Sequence, residues 1–255
     1  MACTAANRST IRSWRHRPWF PVRRHRAFTT SAQVSLPSRT IAYKHIRSPV
    51  PYALGLQLQD ELVAYHSRAL ADGKQRHNVL LLLEHPPTYT AGRRVRGTEV
   101  DEGRRLGALG ADYHETLRGG QTTFHGPGQL VGYPIFDLRS FDLGVRTYVS
   151  TLESMLVRLC SYYNITARTT NDTGVWVFNP KRNDDQKIAA LGIQVRRHIT
   201  SHGFALNCKT DLGWFEHIVP CGLPGKGVTS VSVETGRGES HCKGINQLIV
   251  SRISL

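Results

Sequence analysis

Apolar and polar positions follow two periods along this chain, and together they predict two long helices and at least five strands. Apolar residues recur every three or four positions in residues 52–72 and again in residues 145–163, a spacing typical of an amphipathic helix. Short apolar runs that end in glycine, proline or polar residues predict strands. We place these strands at residues 40–45, 79–83, 130–136, 174–178, 188–195 and 202–207.

The order of these elements predicts an α+β fold. Helices and strands do not alternate as in a repeated βαβ unit, so we expect a mixed, largely antiparallel sheet flanked by helices. The polar residues 179–186 predict an exposed hairpin connection, and the glycine- and arginine-rich residues 92–110 predict a mobile loop. The tail after Gly236 is only weakly patterned.

Basic charge is concentrated at the N-terminus. The 255 residues carry a formal net charge of +14, and residues 1–30 contain seven arginines, whereas the first acidic residue is Asp60. Without those seven arginines the net charge falls to +7. This composition is typical of a mitochondrial or plastid transit peptide. We predict a cleaved mitochondrial targeting presequence at residues 1–30, followed by a single domain at residues 31–255.

The excess charge also allows a different interpretation, a basic arm that binds RNA. The chain contains no aromatic and basic motif of the kind that RNA-binding modules use, which argues against nucleic-acid binding. No run of about 18 apolar residues is present, so we expect no membrane span.

One glycine-rich segment has the composition of a ligand-binding loop. Residues 117–129 contain four glycines together with Arg118 and His125, and they lead directly into a predicted strand. Glycines let the backbone approach a ligand closely and adopt positive φ angles. An ordinary glycine-rich hairpin, in which His125 merely satisfies a loop carbonyl, is the alternative interpretation.

The cysteines indicate a reducing compartment and one candidate nucleophile. Their number is odd and no CxxC pair occurs, which suggests neither a disulfide framework nor a structural zinc site. Cys221 lies between Pro220 and Gly222, a turn that can leave a thiol exposed. The alternative for any single cysteine is a small buried apolar residue. We interpret Cys160, Cys208 and Cys242 as such residues or as exposed residues without a function.

A lysine ammonium close to that thiol would favour the reactive thiolate. Lys187 precedes a run of small and aliphatic residues, 188–192, and is the candidate for this role. Because it also follows the charged residues 181–185, the alternative is a solvated strand end.

Six motifs, taken together, resemble the lipoyl(octanoyl) transferase family. They occur in unbroken order over about residues 40–235: EHPPTYTAGRR (84–94), RGGQTTFHGPGQLVGYPIFDLR (118–139), GVWV (174–177), KIAALGIQV (187–195), HGFALN (202–207) and FEHIVPCGL (215–223). Beyond Glu234 the sequence departs from the family pattern. The resemblance implies a catalytic domain with the biotin and lipoate protein ligase fold.

The resemblance also implies an activity and its residues. The family moves an octanoyl group from the phosphopantetheine thioester of acyl carrier protein to a lysine on lipoyl domains of 2-oxoacid dehydrogenases and the glycine-cleavage H protein. The predicted presequence places this activity in the mitochondrial matrix. Its nucleophile falls on Cys221, and its lysine, which lowers the pKa of that cysteine and transfers protons, falls on Lys187. The implied substrate-binding residues are Arg118, Gly119, Gly120, Gln121, Thr122, Thr123, Phe124, His125, Ala190, Leu191, Gly192, Gly203, Phe204 and Ala205. No metal and no cofactor are implied.

The same fold allows a second activity, that of an ATP-dependent lipoate or biotin protein ligase, which activates a free acid as an acyl-adenylate. Such enzymes need no thiol. Cys221, held between a proline and a glycine, is therefore the feature that favours the transferase.

Overall fold

Eleven strands are found in the part of the chain that the structure describes. In chain order they are β1 (Ile41–His45), β2 (Asn78–Leu83), β3 (Thr88–Ala91), β4 (Asp112–Glu115), β5 (Thr123–His125), β6 (Gln129–Ile135), β7 (Ala167–Arg168), β8 (Val175–Asn179), β9 (Asp184–Arg196), β10 (Ile199–Asn207) and β11 (Gly227–Val228). The computed structural model describes residues 39–72, 77–95, 97, 100–236, 245 and 249. The predicted presequence at residues 1–30, Cys242 and most of the tail after Gly236 lie outside these residues.

The main sheet has the order β1–β2–β6–β10–β9–β8–β7, with β11 paired to β9. Within it, β1 runs parallel to β2 and β11 runs parallel to β9, whereas the other described pairs are antiparallel. A second, smaller sheet has the order β4–β3–β5. The expected mixed, largely antiparallel sheet is therefore confirmed.

The described helices are α1 (Tyr52–Ala71), α2 (Val100–Gly107), α3 (Val145–Tyr162) and α4 (Val231–Thr235). The two long ones, α1 and α3, agree with the periodicity of the sequence to within one residue at each end. They flank the main sheet, since α1 contacts β6 and β10 whereas α3 contacts β7, β8 and β9. No described helix is long and apolar enough to cross a membrane.

The prediction of a mobile loop at residues 92–110 is wrong, because this segment contains α2. Ion pairs one turn apart, Arg104 with Asp101 and Arg105 with Glu102, support the helix on its exposed side. Leu106 is fully buried against Tyr89 and Phe124 of the small sheet. A helix of eight residues with few apolar positions among charged ones gives too weak a periodic signal to be recognised in the sequence.

The hairpin connection before β9 is shorter than predicted. Strand β8 ends at Asn179 and β9 begins at Asp184, so only residues 180–183 form the turn. Lys187 is consequently the fourth residue of β9 and does not lie at its end.

Candidate active site

A cavity of about 400 Å³ brings together segments that are far apart in the sequence. Its walls come from the loop before β5, from β5 and β6, from the β9–β10 hairpin, and from the turn at Pro220–Gly222. Fourteen of the sixteen predicted site residues line it: Arg118, Gly119, Gly120, Gln121, Thr123, His125, Lys187, Ala190, Leu191, Gly192, Gly203, Phe204, Ala205 and Cys221.

Thr122 and Phe124 are the two predicted site residues that do not line this cavity. The Phe124 ring stacks on Trp214 with centroids 5.2 Å apart and an interplanar angle of 5°. It belongs to the apolar core beneath the small sheet, because successive side chains of β5 point to opposite faces. Thr122 contributes its backbone carbonyl, which accepts the N–H of Cys221 at 3.0 Å.

Cys221 sits in a strained turn at the edge of the cavity. Its φ of 56° is left-handed, which is uncommon for a residue with a Cβ. Gly222 follows with φ of 68°, and a Cβ there would overlap the side chain of Gln121. Cys221 is half-buried, whereas Cys160 and Cys208 are buried in the apolar core. Among the described cysteines, Cys221 alone combines access with a place in the cavity wall.

Lys187 is buried, with 5% of its surface exposed, so the interpretation as a solvated strand end is wrong. Its Nζ lies 4.6 Å from the centroid of the Trp176 ring, a cation–π distance. Trp176 is 1% exposed and donates its indole N–H to the carbonyl of Asp172 at 2.9 Å. Gly174 makes room for the lysine, because a Cβ there would lie 3.0 Å from Cε of Lys187.

A β-bulge directs Lys187 into the cavity. Val175 pairs with Ala189, but the next residue of β8, Trp176, pairs with Lys187, so Ile188 is an extra residue in β9. Ile188 and Ala189 are both fully buried in the core, whereas Lys187 and Ala190 on either side of them line the cavity. In a regular strand, residues three positions apart point to opposite faces. The bulge removes that alternation and brings Lys187 to the same side as Ala190.

Small residues form the floor of the cavity. In the β9–β10 ladder, Gly192 pairs with Gly203 and Ala190 pairs with Ala205. Each glycine also has a packing reason: a Cβ on Gly203 would overlap the carbonyl of Gly132, and one on Gly192 would lie 3.1 Å from Cδ of Arg118. The floor can therefore accept a slender chain without branched side chains in its way.

Arg118 is a second buried charge in the site, with 7% of its surface exposed. Its Nη2 donates to the carbonyl of Thr90 at 2.6 Å and to Oγ1 of Thr90 at 2.7 Å, and its Nη1 donates to the carbonyl of Gly119 at 3.0 Å. Its Nε is buried and has no partner within the described residues. Burial lowers the pKa of Arg118, and its interactions with Tyr52 and Cys221 oppose that shift.

Histidines and tyrosines form a second, neutral wall. Burial lowers the pKa of His202 to about 4 and that of His125 well below its usual value. Tyr133 bonds to Nε2 of His85 at 2.7 Å, and burial raises its pKa well above the usual value. Tyr52 stacks on the His125 ring, with centroids 5.9 Å apart.

Several cavity residues were not predicted from the sequence. Tyr52, Arg94, Val131, Tyr133, Val149, Asn171, Asp172, Thr173, Ile193 and Leu223 also line the cavity. Tyr133 lies within the motif at residues 118–139, which is a signal that could have identified it. Tyr52 and Val149 belong to helices whose amphipathic pattern explains them as core residues. In the described chain, no group of three or more histidines, cysteines and acids is placed to hold a metal ion.

Solved structures of lipoate protein ligases have the same fold. A bipartite lipoate protein ligase from Thermoplasma acidophilum superposes with a TM-score of 0.57 at 15% identity, covering 83% of this chain and 81% of that one. Lipoate-protein ligase A bound with ATP gives a TM-score of 0.55 at 15% identity, covering 83% of each chain. The expected lipoate protein ligase-like fold is thus confirmed.

Sequence comparison identifies the family of this chain more specifically than the fold does. Residues 51–251 match the lipoyl protein ligase A/B catalytic domain. The mitochondrial octanoyl-[acyl-carrier-protein]:protein N-octanoyltransferase of Danio rerio is 47% identical over 200 residues, which cover 78% of this chain and 85% of the relative. The enzyme of the same name from Homo sapiens is 49% identical over 195 residues, which cover 74% and 81%. The chain therefore belongs to the lipoyl protein ligase A/B family, and these relatives within it are octanoyltransferases.

Proposed function

We propose that this chain transfers an octanoyl group from octanoyl-acyl carrier protein to a lysine of lipoyl domains, through a thioester on Cys221. The observation that carries the proposal is the cavity in which Cys221 and Lys187 meet a floor of paired small residues. The donor is the one that the names of the relatives from Danio rerio and Homo sapiens contain.

In the first half-reaction, the thiolate of Cys221 attacks the thioester carbonyl of the donor. The tetrahedral intermediate collapses when the C–S bond to the carrier breaks, and the departing carrier thiolate takes a proton from the Lys187 ammonium. One thioester replaces another, so the step needs no ATP. The position of Lys187 in the same cavity wall as Cys221 supports this role.

In the second half-reaction, the neutral amine of the acceptor lysine attacks the acyl-Cys221 carbonyl. The amine loses a proton to Lys187, and the thiolate of Cys221 departs as the amide forms. Both residues then have the charges with which they began, so the cycle closes without another reactant.

Backbone N–H groups of the glycine-rich loop are suited to stabilise the oxyanion in both steps. The N–H of Gly119 already donates to the carbonyl of Ile193 at 2.9 Å, and that of Cys221 donates to Thr122. Among the described residues, no acceptor is bonded to the N–H groups of Gly120 and Gln121, and both residues line the cavity. One such donor contributes about 3 kcal/mol to a transition state.

For the acceptors we propose the lipoyl domains of 2-oxoacid dehydrogenases and the glycine-cleavage H protein, and for the location the mitochondrial matrix. The relatives named above are mitochondrial, and the arginine-rich residues 1–30 have the composition of a presequence.

Intact-mass analysis tests the covalent step. After incubation with octanoyl-acyl carrier protein and without ATP, the protein should gain the mass of one octanoyl group. The gain should disappear in Cys221→Ala and persist in Cys160→Ala, Cys208→Ala and Cys242→Ala. A Cys221→Ala variant that still transfers octanoyl at the wild-type rate contradicts the thioester. A strict requirement for ATP and free octanoate indicates the ligase reaction instead.

A further inference from the structure

Within the described residues, no carboxylate bonds to the buried guanidinium of Arg118. Its three hydrogen bonds go to Thr90 and Gly119, whose oxygens are neutral. A guanidinium has five N–H donors, so two remain, and one of them is the buried Nε without a partner in the described residues. No ion pair to Arg118 occurs within the described part of the chain. Such a charge is costly to bury unless an anion forms next to it.

Three glycines hold the arginine in place. A Cβ on Gly92 would lie 2.9 Å from Nη1 of Arg118, one on Gly120 would lie 3.4 Å from the same atom, and one on Gly192 would lie 3.1 Å from Cδ. The guanidinium is therefore enclosed by backbone on several sides and has little freedom to turn toward solvent. It remains in the wall of the cavity.

Among the described residues of the cavity wall, three weakly acidic groups interact with this charge. They are the phenols of Tyr52 and Tyr133 and the thiol of Cys221. Burial raises the pKa of Tyr52 to about 12 and that of Tyr133 well above its usual value, so both phenols remain neutral near pH 7. The nearby histidines are neutral as well, because burial lowers the pKa of both His125 and His202. Among these groups, only the thiol can supply the missing negative charge.

We propose that Arg118 is a positioning residue that stabilises the Cys221 thiolate with a permanent positive charge. Lys187, which lies over Trp176, then has the separate task of giving and taking protons. The division has a chemical reason: an arginine remains protonated throughout the cycle, whereas a lysine can exchange its proton. The inference rests on the proposed role of Cys221 as the nucleophile.

Alkylation of the thiol tests the proposal without any acyl transfer. The rate of Cys221 modification by iodoacetamide, followed by peptide mass analysis, should rise with pH. The midpoint of this rise is the pH at which half of the thiol is ionised. Arg118→Met should move this midpoint upward by about one pH unit or more, and Arg118→Lys should move it much less. The exposed Arg168→Met is the control and should leave the midpoint unchanged. Superimposable curves for wild type and a folded Arg118→Met overturn the proposal.

A second measurement leaves Arg118 in place, so it remains decisive if Arg118→Met fails to fold. In a Lys187→Met background, Cys221→Asp and Cys221→Asn introduce side chains of nearly equal size, and both tolerate the left-handed backbone. The aspartate variant should unfold at a temperature higher by about 2–4 °C, because its anion compensates Arg118. Equal unfolding temperatures, or a lower one for the aspartate variant, contradict the proposal.

These results separate the proposal from the function on which it rests. If intact-mass analysis shows no octanoyl-Cys221 while both Arg118 measurements give the expected results, then Arg118 stabilises the thiolate but the proposed reaction is wrong. If acylation occurs but Cys221 is alkylated in Arg118→Met as in wild type, then the proposed reaction is correct and Arg118 does not stabilise the thiolate.

Discussion

At the scale of single residues, Lys187 depends on the neighbours that hold its ammonium group beside the cavity. The motif resemblance pointed to Cys221 and Lys187, and both line one cavity. It did not indicate that the ring of Trp176 would lie beneath the lysine ammonium. The sequence pattern around a tryptophan in an apolar strand is the same whether or not a cation lies over its ring. Only the register of the neighbouring strand decides which side chain contacts the ring.

Gly174 is predicted to position Lys187. Its φ of 137° is accessible to glycine and strained for other residues, and a Cβ would lie 3.0 Å from Cε of Lys187. Gly174→Ala should therefore slow octanoyl transfer by at least about tenfold, because a small displacement of a proton-transferring group is costly. Single-turnover transfer from octanoyl-acyl carrier protein measures this effect.

Gly236→Ala is the matched control, since Gly236 also has a positive φ, 62°, but no atom within 4 Å of an added Cβ. It should lower stability slightly and leave transfer unchanged. Equal rates for Gly174→Ala and wild type would show that Gly174 has no part in placing the lysine.

At the scale of elements, long periodic segments were predictable and short ones were not. Helices α1 and α3 and the central strands follow from repeated apolar positions, whereas α2 and the small sheet each contribute only one or two buried residues to their apolar cluster. The bulge at Ile188 could not be predicted either. A local pattern of apolar residues gives no information on which partner residue is skipped in the neighbouring strand.

Close contact between β6 and β10 predicts a stability effect. A Cβ on Gly132 would overlap the Phe204 ring, which is buried in the neighbouring strand. Gly132→Ala should lower the free energy of unfolding by about 1–3 kcal/mol, a typical cost of overpacking a core. Urea unfolding provides the measurement. Gly107→Ala, in open space at the end of α2, is the control and should stabilise the protein or leave it unchanged. A larger loss in the control than in Gly132→Ala would contradict this account.

At the scale of the whole molecule, buried histidines make stability depend on pH. Burial lowers the pKa of both His85 and His202 to about 4, below the value of 6.5 expected in the unfolded chain. Between these values the unfolded chain binds more protons than the folded one. Stability is therefore complete above about pH 6.5 and is lost as the pH falls toward 4, by up to about 1.4 kcal/mol per pH unit for each histidine.

The free energy of unfolding, measured by urea titration between pH 7 and pH 4.5, tests this dependence. His202→Asn should reduce the slope, and asparagine tolerates the left-handed φ of 54° at this position. His217→Asn, at an exposed histidine, should leave the slope unchanged. Parallel curves for wild type and His202→Asn would show that His202 does not titrate with unfolding.

The lysine that rests on Trp176 has a consequence for spectroscopy. The chain has four tryptophans, and Trp14 and Trp19 fall within the proposed presequence. A processed chain would retain Trp176 beneath Lys187 and Trp214 stacked on Phe124, whose neighbours Thr123 and His125 line the cavity. Its intrinsic fluorescence would then come from one indole in contact with the proton-transferring lysine and one stacked on Phe124. Changes in this tryptophan fluorescence would follow each turnover without an added label.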